Sequence, residues 1–427
     1  MDQAKIYESR NKVVFGGPKM ANHKSVVQFP FLNPVASIRK QHAFIPFALP
    51  DFGPEEANEV IACLKSGWLT TGKRVAQFES DFAEYIGAKY ALAVNSATAG
   101  LHLGLEAAGV KEGDEVIVPV CTFTATAEVV RYLGADPVFV DIEPRAFNLD
   151  VDRLKAAITS KTKAIMPVHF GGQSCDMHPI MELAYAHGLK VIEDAAHSLP
   201  CTYDGRRIGT IGHATAFSFY ATKTLSTGEG GMVTTDSDEI AKRIRIMRLH
   251  GIDRDVWDRY NSKKPSYYYE VVAPGFKYNM PDLMAAIGIH QLKKADRFYQ
   301  RRRTIAGRYT EALKGLPLRT PEALNPGDQH SWHLYVIQLE LESIGMSRDE
   351  FIEAMTGCGV GTSVHFIPLH LHPYWRDRYG LQPEDFPNAL DCFQRAVSLP
   401  IYPRMTDEDV EHVIDAVKEI LSRNIPA

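Results

Sequence analysis

The chain has 427 residues, of which 23% are charged and 45% hydrophobic, and its formal net charge at pH 7 is −5. This length allows two domains with a large core, and the mildly acidic balance argues against a nucleic-acid partner, which requires a clustered basic surface. No apolar run approaches the length that spans a bilayer, so we expect no membrane partner.

The cysteines and histidines give no sign of a metal or disulfide framework. The six cysteines, at positions 63, 121, 175, 201, 358 and 392, have no CxxC or CxxH spacing. Buried free thiols in a reducing compartment are the expectation, and we therefore predict a cytoplasmic protein. His365, His370 and His372 crowd together, but their spacing fits no standard zinc motif, so no metal site is predicted.

Residues 1–43 are interpreted as an N-terminal extension. Up to residue 41 the segment carries seven Lys or Arg against two acidic residues, and its apolar positions have no steady period. It also lacks the continuous apolar segment and cleavage site of a signal peptide. We expect a flexible or loosely docked arm, with Met20 as an alternative start that mass spectrometry of the native protein would decide.

The next 250 residues alternate between apolar runs of strand length and helical segments. A helix is predicted over 55–66, and strands are predicted at 89–94, 115–119, 137–140, 164–168 and 190–192. Strands that alternate with helices form βαβ units, so the sequence predicts an α/β fold with a mainly parallel sheet. We assign this large domain to residues 44–292.

A change in charge pattern marks a second, smaller domain at 293–427. Residues 293–308 form a basic run that includes Arg301, Arg302 and Arg303, which we interpret as the solvated face of a long bridging helix. Strands are predicted at 334–341 and 362–366 and helices at 348–356 and 407–423, which makes this domain α+β. Residues 397–403 are interpreted as a proline-punctuated connection, and residues 254–269 as a lid or interface loop.

The candidate chemistry centres on Lys223, which lies in a short turn between two predicted strands. Alone, such a lysine is more often solvated. However, the strand at 190–192 runs into Asp194, with His197 three residues later, and ligand sites of open α/β sheets gather at the carboxyl ends of strands. A lysine that forms a Schiff base and an Asp that faces a pyridinium nitrogen are what proteins contribute to pyridoxal phosphate (PLP) chemistry.

Two further segments at predicted strand ends fit such a cofactor. Residues 95–100 bring small and hydroxyl side chains to a helix start, where free backbone N–H groups and the helix dipole favour a phosphate. Phe123 follows another strand and could stack on a planar ring, although an aromatic at such a junction is more often part of the core.

These motifs in this order resemble the sugar aminotransferases of the DegT/DnrJ/EryC1/StrS family, which are fold-type I, PLP-dependent enzymes. The resemblance runs from residue 45 to the C-terminus and includes the segments 66–72, 95–99, 193–197 and 217–219 before Lys223. Segments 250–259, 273–279 and 359–366 are most similar to one branch, the UDP-4-amino-4-deoxy-L-arabinose:oxoglutarate aminotransferases of lipid A modification. Differences from that branch include the N-terminal arm and Phe123 where it has tryptophan.

The resemblance implies a role for individual residues. Lys223 would bind the cofactor covalently, Asp194 would face the pyridinium nitrogen, and His197 would lie near the phenolic oxygen. Phe123 would stack on the ring. The phosphate would be held by Ala97, Thr98 and Ser218, with Asn279 reaching it from the neighbouring subunit of a homodimer, and the sugar would contact Trp68, Thr71 and His365.

The implied reaction moves the amino group of L-glutamate to the keto carbon of a nucleotide-linked sugar, with a UDP-4-keto-pentose favoured. A UDP- or dTDP-4-keto-6-deoxyhexose and C3 amination stay open. Sugar dehydratases of the family resemble this pattern with histidine in place of the Schiff-base lysine, which Lys223 argues against. A noncatalytic PLP-binding regulatory protein is the remaining alternative, and spectral inertness towards glutamate would be its signature.

Overall fold

The structure is a computed structural model that describes residues 43–253, 269–322 and 327–424. The N-terminal arm apart from residue 43, and all of the predicted lid loop except Tyr269, lie outside the described residues. Within them, no helix combines the length and the apolar character that a membrane crossing requires.

A seven-stranded sheet forms the centre of the larger part of the fold. Its strands in chain order are β1 Tyr90–Val94, β2 Glu115–Pro119, β3 Asp136–Val140, β4 Thr162–Ile165, β5 Lys190–Asp194, β8 Ala214–Ser218 and β9 Gly231–Thr235, with the short hairpin β6 Thr202–Tyr203 and β7 Arg206–Arg207 between β5 and β8. Their spatial order is β1-β9-β8-β5-β4-β2-β3. Neighbours pair in parallel except on either side of β9, which is antiparallel to β8 and β1. The predicted α/β fold with a mainly parallel sheet is confirmed.

Helices cover both faces of this sheet, because its strands are apolar on both sides. In β1, Leu92 and Val94 enter one hydrophobic core, and Ala91 and Ala93 enter the other. The helices are α1 Pro54–Ser66, α2 Lys73–Ile86, α3 Ala97–Ala107, α4 Ala125–Tyr132, α5 Val151–Ala157, α6 Met177–His187, α7 Asp238–Met247 and α8 Asp282–Lys293.

The C-terminal part contains a three-stranded antiparallel sheet, in the order β10-β11-β12. It comprises α9 Ala295–Ala312, β10 Leu318–Arg319, β11 Tyr335–Leu339, α10 Arg348–Gly357, α11 Pro373–Tyr379, α12 Pro387–Arg395, β12 Ala396–Leu399 and α13 Asp407–Asn424. The division at 292/293, which falls in the last turn of α8, stays a proposal. The helices predicted at 348–356 and 407–423 are confirmed.

Two strand predictions in this part were wrong. The segment interpreted as a connection contains strand β12, which pairs along β11, whereas residues 362–366 form no strand and make a single bridge, Ser363 to Ser398. Whether each segment forms a strand depends on its pairing with a segment that is distant in the chain, and the local sequence does not encode that pairing.

The interpretation of 293–308 as a solvated helix face also fails at one position. Helix α9 exists, but Arg302 is only 3% exposed. Its NH1 donates to the carbonyl oxygens of Trp332 at 3.1 Å, His333 at 3.3 Å and Ile401 at 2.6 Å. Burial lowers the pKa of Arg302 to about 9. This buried guanidinium therefore joins three backbone carbonyl groups by hydrogen bonds.

Candidate active site

One cavity of about 350 Å³ lies where the carboxyl ends of the parallel strands meet. Since β9 is antiparallel, its amino end reaches the same edge, with Gly230 at the wall. The cavity is lined by most of the residues predicted for the site: Ala97, Thr98, Phe123, Asp194, His197, Ser218, Lys223 and His365. Residues more than 260 positions apart in the chain are thus brought to one place.

Asp194 ends β5 and carries a buried carboxylate. Its Oδ2 accepts a hydrogen bond of 2.8 Å from the Thr126 hydroxyl, and its Oδ1 accepts one of 3.1 Å from the Ala196 N–H. Burial raises the pKa of Asp194, and these bonds together with the charge of Lys223 oppose that rise. A buried carboxylate with few donors favours a cationic partner, so the carboxylate suits a positively charged ring nitrogen.

Lys223 follows β8 in a turn where its N–H donates to the Tyr220 carbonyl at 2.9 Å. Its side chain is half-buried at the cavity wall. Burial lowers the pKa of the amine to about 8, against the opposing charge of Asp194. A substantial fraction of unprotonated amine is therefore available near neutral pH, which nucleophilic attack on a carbonyl requires.

Two predicted imidazoles have one ring nitrogen engaged by the protein. His197 Nδ1 accepts the Gly171 N–H at 3.2 Å, which leaves Nε2 as the protonated nitrogen. His365 Nδ1 lies 2.8 Å from the Ser398 hydroxyl. Burial, followed by the charge of Lys223, lowers the pKa of His197 well below its usual value and that of His365 to about 4. Both rings are neutral at physiological pH.

The start of α3 has the free N–H groups that the predicted anion site requires. Ser96 caps this helix by accepting the Ala99 N–H at 3.1 Å. The backbone N–H groups of Ala97 and Thr98 precede the first intrahelical bonds and lie at the positive end of the helix dipole. A Cβ on Gly231 would come within 2.8 Å of the Ala97 nitrogen, so this close approach requires glycine. Ser218 lines the same cavity.

Trp68, Thr71 and Asn279 do not line this cavity but form a separate cluster. The Thr71 hydroxyl donates to the Met280 carbonyl at 2.6 Å and accepts from the Asn279 amide at 2.6 Å, and the Trp68 Nε1–H donates to the Thr71 carbonyl at 3.1 Å. Asp282 fixes the loop by accepting the N–H groups of Gly72 and Val75 at the start of α2. The three residues therefore contact one another and do not line the cavity that holds the other predicted site residues.

A second cavity, of about 720 Å³, adjoins the first and shares Thr122, Phe123 and Phe366 with it. Phe123 is 59% exposed at this junction, with its ring centroid 5.9 Å from that of Phe366. We call the second cavity the aromatic groove. Its further lining includes Tyr132, Tyr374, Trp375, Arg131, Glu128 and His372.

His333 is a residue of the cofactor cavity that no sequence motif indicates. It is 5% exposed, lies at the entry to β11 and lines the cavity with its ring centroid 4.5 Å from that of His197. A single histidine before a strand carries no motif. The only sequence signal is its position within the Ser331-Trp332-His333 segment, which is polar for a strand entry.

Curated relatives match the chain over most of its length. It is 52% identical over 386 residues to the spore coat polysaccharide biosynthesis protein SpsC of Bacillus subtilis, which covers 90% of this chain and 99% of that protein. It is 50% identical over 384 residues to the protein MJ1066 of Methanocaldococcus jannaschii, again covering 90% and 99%.

Solved structures of sugar aminotransferases share the fold. The putative sugar aminotransferase Spr1654 of Streptococcus pneumoniae, solved in PLP and PMP forms, superposes with a TM-score of 0.82 at 33% identity, over 89% of this chain and 99% of that one. PseC of Helicobacter pylori, an aminotransferase of pseudoaminic acid biosynthesis, has a TM-score of 0.82 at 28% identity, over 89% and 100%.

The residues of the cavity fit PLP by their own chemistry. The buried Asp194 carboxylate suits the pyridinium nitrogen, the Lys223 amine suits the aldehyde, and the open start of α3 with Ser218 suits the phosphate. The family model of the DegT/DnrJ/EryC1/StrS aminotransferases matches residues 50–418. The chain therefore belongs to the DegT/DnrJ/EryC1/StrS aminotransferase family and is a PLP-dependent sugar aminotransferase of fold-type I.

Proposed function

We propose that the enzyme transfers the amino group of L-glutamate to the C4 keto carbon of a nucleotide-linked sugar, with a UDP-4-keto-pentose as the favoured acceptor. One observation carries the proposal: the Lys223 amine and the Asp194 carboxylate line one cavity that adjoins the aromatic groove and shares Phe123 and Phe366 with it. If the keto carbon of the substrate binds in the cavity, the rest of a large substrate would lie in the groove.

The chain's residues divide the chemistry among themselves. Bound PLP supplies an electron sink that makes the proton on the donor's α-carbon removable. The Asp194 carboxylate would keep the ring nitrogen of PLP protonated, because a nearby negative charge favours the cationic form of that nitrogen. Ala97, Thr98 and Ser218 would hold the phosphate, Phe123 would lie against the ring, and His197 would offer its Nε2–H to the phenolic oxygen.

Lys223 is the base that this account requires. The pKa of the Lys223 amine, about 8, suits proton transfer near neutral pH. Lys223 would take the proton from the donor carbon in the glutamate half-reaction. In the sugar half-reaction it would deliver a proton to the sugar carbon that receives the nitrogen.

The aromatic groove supports a nucleotide-linked substrate. Tyr132 and Tyr374 are exposed there and can contact the flat face of a base. Arg131 lies on the same wall, although its NH1 already bonds the Ala135 carbonyl and Asp136. The volume of about 720 Å³ falls within the usual range for ligand sites.

The names of two relatives support a role in cell-surface polysaccharide synthesis. SpsC is named for spore coat polysaccharide and PseC for pseudoaminic acid. We therefore propose that the enzyme acts in the synthesis of a cell-surface polysaccharide. Lipid A modification is the more specific proposal. A UDP- or dTDP-4-keto-6-deoxyhexose is the second candidate acceptor.

The acceptor is tested with enzyme that L-glutamate has converted to its pyridoxamine form and that has been freed of glutamate. We expect the absorbance of the PLP form to return within seconds when a UDP-4-keto-pentose is added, and a 4-amino sugar to form, as established by NMR of the product. Return of the band only with a 4-keto-6-deoxyhexose would overturn the pentose assignment, and a 3-amino product would overturn the C4 assignment.

We further propose that the active site is completed by a second copy of the chain. Asn279 lies in the cluster with Trp68 and Thr71 and does not line the cofactor cavity of its own chain. We infer that it reaches the phosphate of the partner's cofactor. Trp68 would contact the partner's sugar. Because both hydrogen-bonding directions of the Thr71 hydroxyl are in use, we assign Thr71 to the positioning of Asn279.

Mixed dimers test this arrangement. Lys223→Ala and Asn279→Asp homodimers should each be nearly inactive, the second because an added carboxylate repels the phosphate. If Asn279 acts across the interface, an exchanged equimolar mixture contains one intact site in each heterodimer and should regain about a quarter of wild-type activity. No regain, with heterodimers present by native mass spectrometry, would mean that Asn279 does not act across the interface.

We place the reaction in the cytoplasm. All six cysteines are free thiols and are buried, which supports a reducing compartment.

A further inference from the structure

Of the three imidazoles among the described residues that line the cofactor cavity, His333 has no role in the proposed reaction. Its side chain is buried, and its Nδ1 finds no hydrogen-bond partner among the described residues. His197 and His365 differ in this respect, because each has one ring nitrogen bonded to the protein. A buried polar group without a partner is unfavourable, so one at a ligand cavity indicates a contact that only the ligand completes.

The backbone that carries His333 is held from two sides. The buried Arg302 binds the carbonyl oxygens of Trp332 and His333. On the other side the Ser331 hydroxyl donates to the His197 carbonyl at 2.6 Å, and the Leu334 N–H donates to the Gly171 carbonyl at 3.0 Å. The same loop supplies the N–H that fixes His197. His333 and His197 are therefore held by one shared network.

The charge state of the His333 ring determines which chemical group of a ligand it can bind. Burial lowers the pKa of His333 well below its usual value, and the positive charges of Lys223 and Arg302 lower it further, so the ring is neutral. No carboxylate faces it among these groups. A neutral imidazole both donates and accepts, which matches a hydroxyl, whereas a carboxylate is bound more strongly by a cation.

We propose that His333 is a specificity residue that hydrogen-bonds a hydroxyl group of the sugar ring, with Arg302 as the residue that positions it. The inference rests on the activity as a sugar aminotransferase and deepens the proposed function, but it does not depend on which keto sugar is the acceptor. It predicts that His333 serves the sugar half-reaction and leaves the glutamate half-reaction alone.

The test compares His333→Leu with wild type in the two half-reactions, measured separately by stopped-flow absorbance. The acceptor is whichever keto sugar the wild-type enzyme aminates. We expect the rate of the sugar half-reaction at subsaturating sugar to fall about tenfold, the order that loss of one hydrogen bond gives, with the glutamate half-reaction within about twofold. His333→Asn, which places its amide group near the position of Nδ1, should recover part of the loss.

Folding is checked in the same samples. Since an apolar side chain of similar shape removes an unpaired polar group, the melting temperature of His333→Leu should equal or exceed that of wild type. His370→Leu is the matched control: His370 is buried and lines neither cavity, so the ratio of its two half-reaction rates should not change.

Equal losses in both half-reactions, or no loss in either, would overturn the inference. A wrong assignment of the sugar acceptor is distinguishable from a wrong role for His333, because the wild-type enzyme would then fail to aminate the proposed sugar.

Discussion

Replacing Lys223 by alanine should abolish turnover while the protein still binds PLP. The variant loses both the covalent anchor and the base that moves protons, so we expect kcat to fall by about 10⁴-fold or more, the upper end of what general acid–base catalysis contributes. Asp194, the start of α3 and Ser218 remain to hold the cofactor. Steady-state transamination and equilibrium dialysis with PLP measure the two effects.

A matched lysine separates this effect from a general loss of charge. Lys89 is exposed, pairs with Asp238 at 2.5 Å and lines neither the cofactor cavity nor the aromatic groove, so Lys89→Ala should keep wild-type activity. Turnover of Lys223→Ala within tenfold of wild type would contradict the assignment.

The second large effect is expected at Asp194. Asp194→Asn keeps the size of the side chain but removes the charge that holds the cofactor nitrogen protonated. We expect the glutamate half-reaction to slow by about 10²- to 10³-fold, the cost of losing one preorganised electrostatic group. The melting temperature of the cofactor-free protein should not fall, because burial already raises the pKa of this carboxyl. Stopped-flow spectroscopy and thermal unfolding measure the two properties.

Glu193 provides the control, since it precedes Asp194 in β5 and its side chain takes different partners. Its buried carboxylate accepts from His169 Nε2 at 2.9 Å, Thr215 Oγ1 at 2.7 Å and the Gly212 N–H at 2.7 Å. Burial raises its pKa, but these donors outweigh burial and the pKa is lowered.

Glu193→Gln should therefore lower the free energy of unfolding by about 2 kcal/mol, as expected for hydrogen bonds to a charged group, and should leave the glutamate half-reaction nearly unchanged. The reverse pattern, with Glu193 essential for the rate and Asp194 essential only for stability, would contradict the roles given to the two carboxylates.

The sequence alone was sufficient for the centre of the site. Asp194, His197 and Lys223 follow predicted strands, and the carboxyl ends of parallel strands meet at one edge whatever the strand order. The antiparallel direction of β9 does not alter the position of the site, because the amino end of β9 lies at the same edge of the sheet. The family resemblance then gave these residues their expected roles.

The parts that escaped prediction depend on distant contacts. Arg302 belongs to a run of three arginines that resembles a solvated face, and only the carbonyls of Trp332, His333 and Ile401 explain its burial. β12 forms a strand because β11 lies beside it. The Asn279 cluster has no evident task within one chain, since its proposed ligand belongs to a second copy.

The most direct test of the central claim is to identify the lysine that binds PLP. Holoenzyme is reduced with borohydride, digested and mapped by mass spectrometry. The account predicts that the phosphopyridoxyl group is found on the peptide containing Lys223 and is absent from Lys223→Ala. Labelling of any other lysine in active enzyme would contradict it.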